Sequence, residues 1–303
     1  MNQHTPLRTS GSLLERAAEL YGFGLTPAPA GVPEPALAPQ PEPEVLLLTP
    51  ELAPAPRPAP RHVPDGPRAA VDREGLREAG FIEPDAPGGG LAEEFRIVKR
   101  QLLLAAAGGP KARTILVCSA QANEGKTFCA VNLALSLAAE REVEVLLVDA
   151  DFPKPEILSI LGLEGGPGLV DALADPSLDP ESLVIRTDVE GLSVLPAGRH
   201  AAEVTELLTS SRTREVLARL AEADERRIII FDSPPALMAS PASVLATHAG
   251  QVLMVVRADR TTETDLREAV GLLSGCDQIR LLLNGAGFAA SGRRFGSYYG
   301  YGQ

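Results

Sequence analysis

Residues Ser119–Thr127 read Ser-Ala-Gln-Ala-Asn-Glu-Gly-Lys-Thr, and they limit the possible folds more than any other segment. An apolar run, Thr114–Cys118, leads in, and an apolar-periodic segment, Phe128–Ala139, follows. Strand, small-residue loop, then Gly-Lys-Thr opening a helix is the context of a phosphate-binding loop. Backbone N–H groups of such a loop and of the helix N-terminus converge on an anion. Lys126 is placed to reach the β- and γ-phosphates, and the Thr127 hydroxyl to hold Mg²⁺. The candidate nucleotide site is therefore Ala120, Gln121, Ala122, Asn123, Glu124, Gly125, Lys126, Thr127 and Phe128. Ala120 stands where the usual pattern has its first glycine. The plainer alternative is a helix start that binds nothing.

The chain has 303 residues and a formal net charge of −12, which argues against a general nucleic-acid binder. Tryptophan is absent and aromatic residues are few, so the core must be built from Leu, Val, Ile and Ala, as suits a buried parallel sheet. Cys118, Cys129 and Cys276 are odd in number and lack metal-ligand spacing. Cys118 and Cys129 read as small core residues in a reducing compartment. The first residues carry no apolar signal-peptide core, and no run is long enough to span a bilayer. The expectation is a cytoplasmic protein whose membrane association comes through a partner.

Four regions are expected. Residues 1–25 contain a short helix over Ser12–Tyr21, either a fraying terminus or a docking element. Residues 26–67, about one-third proline, read as an extended linker. The domain proper spans 68–290, with a short helix over 71–82, a hinge at Pro87–Gly90 and a helix over Leu91–Ala107. The apolar face of that helix is expected at Leu91, Phe95, Val98, Leu102 and Ala105. Residues 291–303 form a tail. Within the domain, strands are expected at 114–118, 143–149, 192–195, 227–232, 252–257 and 279–283. Helices are expected at 126–139, 155–161, 168–173, 203–222, 239–247 and 262–275, with Thr261 or Thr262 capping the last. Alternating strands and helices imply an α/β fold: a mostly parallel sheet with helices on both faces.

Two further segments are apolar strands that end in acid: Val145–Asp151 (VLLVDAD) and Ile228–Pro235 (IIIFDSPP). Open α/β sheets place ligands at such strand ends. A buried strand end carries carboxylates at a cost unless a cation or donor balances them. With Mg²⁺-nucleotide at Lys126 and Thr127, Asp232 reads as the acid that holds the metal through water. Asp149 and Asp151 read as outer ligands of the metal, or one of them as the base that receives a hydroxyl proton. A turn or helix-cap role is the plainer alternative for each. The tail holds Tyr298, Tyr299 and Tyr301 among glycines. It is either an aromatic end that merely packs, or a set of accessible phenols for phosphorylation.

The three motifs in this order, with a tyrosine cluster after them, resemble the bacterial tyrosine kinases. The resemblance covers about residues 90–303. It implies a P-loop ATPase fold and an ATP- and Mg²⁺-dependent autokinase with Lys126, Asp149, Asp151 and Asp232 as catalytic residues. Thr127, Asp149, Asp151 and Asp232 would surround the metal, and Tyr298, Tyr299 and Tyr301 would be acceptors. They are expected to belong to a neighbouring subunit, because a tail a few residues from its own sheet is too short to turn back to its own site. Residues 91–100 are similar to the family's oligomerisation helix, with Glu93 and Arg96 matching it and Lys99 standing for the second arginine; a local Glu–Arg ion pair is the plainer alternative. The lead-in and the proline-rich segment look most like the exosortase-associated autokinases of exopolysaccharide clusters. That implies a homo-oligomer with ring-like self-association, and a membrane-embedded chain-length or export protein as activator at the inner face of the cell membrane. Pro153 and Pro241 depart from the family pattern. Partitioning ATPases share the fold but carry a second lysine where this chain has Gln121, and a nucleotide-binding regulator without catalysis is the other alternative.

Overall fold

The computed structural model describes residues 68–85, 88–199 and 204–286. The expected helix at 12–21, the proline-rich stretch 26–67 and the tail with Tyr298, Tyr299 and Tyr301 lie outside the described residues. In chain order the elements are β1 (Arg68–Ala69), α1 (Arg73–Glu78), α2 (Gly90–Ala106), β2 (Thr114–Ser119), α3 (Lys126–Ala138), β3 (Glu144–Asp149), α4 (Ile157–Leu161), α5 (Leu169–Ala174), β4 (Ile185–Thr187), β5 (Leu192–Leu195), α6 (Val204–Thr209), α7 (Ser211–Glu222), β6 (Arg227–Asp232), α8 (Pro241–His248), β7 (Gln251–Arg257), α9 (Glu263–Leu272) and β8 (Ile279–Asn284).

The strands form one sheet in the order β1-β4-β5-β3-β6-β2-β7-β8. Every pairing is parallel except β4 with β5. The strands β2 and β6 are buried along their whole length, which is why they read as unbroken apolar runs. Their side chains alternate between two cores. Leu116, Cys118, Ile229 and Phe231 face one, with residues of α5, α7, α8 and α9. Ile115, Val117, Ile228 and Ile230 face the other, against α3 and α2. The helix α3 is therefore enclosed between the sheet and α2, and even Asn132 is buried in it. Asn132 meets the cost of that burial by accepting the Ile82 N–H at 2.7 Å and donating to the Phe128 carbonyl at 2.9 Å.

All six expected strands are present, and β1 and β4 are additional. Both are two or three residues long and lie toward one edge of the sheet, so pairing rather than periodicity defines them. The expected helix 203–222 is two helices, because Ser210 takes an extended backbone with ψ 162° between α6 and α7. Thr262, not Thr261, caps α9: its hydroxyl accepts the Asp265 N–H at 3.1 Å, with Asp265 reaching back. Pro241 is the first residue of α8, where a missing N–H costs nothing. The three cysteines are buried and free. Burial pushes the Cys129 thiol up to about 12, which suits an inert packing residue.

Candidate active site

The parallel register brings three strand ends together. Asp149 at the end of β3 lies opposite Asp232 at the end of β6, and Asp232 lies opposite Val117, two residues before the end of β2. The loop 120–125 then turns from β2 into α3. Its special conformations fall at Asn123 (φ 61°) and Gly125 (φ 92°). A Cβ on Gly125 would lie 2.1 Å from Asn284 Nδ2, so both dihedral and space require glycine there. Ala120, by contrast, has no positive φ. Its buried carbonyl accepts the Leu237 N–H at 3.2 Å, and a methyl group is tolerated where the usual motif has glycine.

Lys126 opens α3 and is buried. Its Nζ donates to Asp151 Oδ2 at 2.5 Å and to Thr127 Oγ1 at 3.3 Å. Burial lowers its pKa, but Asp232 and the contact with Asp151 hold it above the ordinary value, so it stays charged. Asp149 accepts the N–H groups of Ile157 at 3.1 Å and Asp151 at 3.3 Å. Burial nevertheless pushes its carboxyl up to about 6. Asp232 is fully buried, and neither of its oxygens has a hydrogen-bond partner among the described residues; the Thr127 hydroxyl approaches it outside hydrogen-bond geometry. Burial raises it to about 7, against the pull of Lys126. The two orphaned oxygens of Asp232 and the Thr127 hydroxyl are the oxygen ligands a hard cation takes, and charged Lys126 beside them suits the anion that such a cation accompanies.

Above this cluster opens a cleft of 490 Å³, lined among others by Ala122, Asn123, Gly125, Thr127 and Asp151. Phe128 also lines it and packs against Phe81 as a tilted pair, with ring centroids 4.9 Å apart. Pro153 forms part of the wall, while Lys154 beside it pairs with Glu156 at 2.9 Å. Lys126, Thr127, Asp149, Asp151 and Asp232 are thus brought together, as are the loop residues Ala120 to Phe128. The helix α2 behaves differently. Glu93 and Arg96 pair with each other at the surface, but Lys99 turns inward. Its Nζ donates to the Ser136 carbonyl at 2.7 Å and meets Glu140 at 2.6 Å. Lys99, the residue that stands for the second arginine of the oligomerisation helix, is thus engaged within its own chain, while Arg100 beside it is exposed. Two contributors escaped the sequence reading: Asn284, whose amide donates to the Glu124 carbonyl at 2.9 Å, and Thr261, whose hydroxyl donates to the Glu124 carboxylate. No local pattern marks either; both depend on β7 lying beside β2 and β8 beside β7.

A sequence model described as an AAA domain matches residues 112–273, more than half of the chain. The kinase domain of VpsO, a solved structure, is 31% identical, with 61% of this chain and 96% of that chain covered and a TM-score of 0.50. The chain belongs to this AAA-domain family, in the branch of the bacterial tyrosine kinases. The solved tyrosine kinase domain of BceF is 27% identical over 63% of this chain and 76% of that one, with a TM-score of 0.54. EpsB of Ralstonia nicotianae is 37% identical over 148 residues, 48% of this chain and 19% of its own length. Tyrosine-protein kinase YwqD of Bacillus subtilis is 29% identical over 196 residues, 64% of this chain and 81% of its own. The chain thus spans about a fifth of EpsB, and most of the much shorter YwqD. The P-loop α/β fold and the family resemblance read from the three motifs are borne out, and with them a nucleotide-binding fold. Among the described residues no helix is long and apolar enough to cross a membrane.

Proposed function

We propose that the chain is an ATP- and Mg²⁺-dependent protein-tyrosine autokinase that phosphorylates Tyr298, Tyr299 and Tyr301. The observation that supports it best is the orphaned Asp232 carboxylate beside charged Lys126. Thr127 Oγ1 and Asp232 would hold Mg²⁺, with Asp149 and Asp151 around it. Once bound, the ion would neutralise charge developing on the transferred phosphoryl group. The N–H groups of Asn123, Glu124 and Gly125 donate to no described residue and are available to orient phosphate oxygens. Lys126 would exchange Asp151 for the triphosphate, leaving Asp151 Oδ2 at the cleft wall without its partner. That oxygen then accepts the phenol proton as the tyrosine oxygen bonds to the γ-phosphorus and the bond to ADP breaks. Asp149, already holding two backbone N–H groups, keeps the segment that carries Asp151 in place.

In this reading residues 68–290 are the kinase domain and 291–303 the acceptor tail. Glu93 and Arg96 contribute to a homo-oligomer. By its resemblance, the protein regulates exopolysaccharide synthesis or export from the cytoplasmic face of the membrane, switched by a membrane-embedded partner. The test is a phosphotyrosine blot of the full chain incubated with ATP and Mg²⁺, with and without a membrane activator. Wild type should label, and Lys126→Ala should lose at least about a hundredfold of the rate. No wild-type signal, or equal signal in Lys126→Ala, sinks the kinase reading.

A further inference from the structure

Glu124 is fully buried next to the seat of the phosphates. The mechanism above gives its side chain nothing to do, and a carboxylate there repels an anion. Its contacts give it a different task. One carboxylate oxygen accepts the Gln121 N–H at 2.8 Å, closing the loop on itself. The other accepts the hydroxyl of Thr261, in the segment after β7. That hydroxyl already accepts the Arg257 N–H at 2.8 Å, so its own proton is committed to Glu124. The main-chain oxygen of Glu124 accepts the Asn284 amide at 2.9 Å, at the end of β8. The residues on either side, Asn123 and Gly125, both have positive φ. A non-glycine residue in that conformation persists only where its surroundings over-determine it. Glu124 is tied from three directions at the one point between the two unusual dihedrals.

We infer that Glu124 is a positioning residue, braced by Thr261 and Asn284, which holds the phosphate-binding loop in its anion-receiving shape before nucleotide arrives. The segment Arg257–Thr261 thereby sets nucleotide affinity without touching nucleotide. The gain is preorganisation: N–H groups already aimed need no ordering on binding. This rests on the nucleotide-site reading above. It accounts for an acid in a place that electrostatics alone disfavours, and for a threonine at 261 beside the one that caps α9.

The experiment is equilibrium binding of a fluorescent ADP, with Mg²⁺, to the full chain. Thr261→Val removes the hydroxyl with little change of shape and should raise Kd about tenfold. Thr261→Ser restores the donor and should stay within about twofold of wild type. Glu124→Gln removes the charge and turns one of the two acceptor oxygens into a donor, so both contacts weaken and binding should fall, keeping the test open if the valine variant folds poorly. Because both changes cut one strut, the double variant should bind no more weakly than the weaker single. Wild-type affinity in Thr261→Val and Glu124→Gln, a serine variant as weak as the valine one, or additive losses would each overturn the strut. A wild-type chain that binds no nucleotide would overturn the site reading as well.

Discussion

At Asp232 the chain gives up stability to keep a site ready. Its carboxyl is raised to about 7 and that of Asp149 to about 6, both mainly by burial. A raised carboxyl favours the protonated form in the folded state. Its contribution is thus fully present below about pH 4, the unfolded value, and is lost as pH rises through the folded value. The cation-free protein should therefore lose stability between about pH 4 and 7. Asp232→Asn removes the buried charge and should be more stable than wild type by about 1–3 kcal/mol at pH 8, with a smaller gain near pH 5. Urea unfolding at the two pH values measures this. Addition of Mg²⁺ and nucleotide should stabilise wild type more than the variant. An equal or absent gain at both pH values would count against the raised pKa. The sequence announced Asp232 through its place after four apolar residues. It could not announce the missing hydrogen bonds, which follow from where β2 and β3 flank β6.

At the scale of elements, what was legible depended on whether one segment carried its own signal. The buried strands β2, β3, β6 and β7 announce themselves as apolar runs. The short β1 and β4 hold no pattern beyond the partner that pairs with them. The helix α2 shows a subtler limit. The expected apolar face ran through Leu91, Phe95, Val98, Leu102 and Ala105, whereas the buried residues are Phe95, Lys99, Leu102 and Ala106. Lysine on that stripe reads as surface until α3 supplies the Ser136 carbonyl and Glu140 follows it. Two residues in one motif should then part company. Lys99→Ala leaves a buried carbonyl without its donor and should cost about 1–3 kcal/mol in urea unfolding. Its sedimentation behaviour should be unchanged. Arg96→Ala, at an exposed pair, should change stability by less than about 0.5 kcal/mol and weaken self-association. A Lys99→Ala chain of normal stability would contradict the inward placement. An Arg96→Ala chain that assembles like wild type would remove α2 as the proposed contact.

At the scale of the whole molecule, the parallel sheet decides where the chain leaves its own active site. The last described strand, β8, ends at Asn284, whose side chain touches the phosphate-binding loop. Tyr298 is 14 residues beyond Asn284, a span of at most about 50 Å when extended. Contour length therefore does not keep a tyrosine from its own cleft. The reason offered from sequence for a neighbouring acceptor, a tail too short to return, does not hold. What remains in favour of a neighbour is assembly: a ring would place each tail near the next cleft at high effective concentration. The two routes differ in kinetics as well as geometry. Transfer within one chain proceeds at a rate per molecule independent of concentration, whereas transfer between free chains rises with it. Mixing a Lys126→Ala chain with an active chain lacking residues 291–303 isolates the second route. Transfer between chains should label the Lys126→Ala tail, and dilution below the dissociation constant should slow that labelling in proportion to concentration. An unlabelled Lys126→Ala tail, in a mixture where intact wild type labels itself, would assign the reaction to the chain's own cleft.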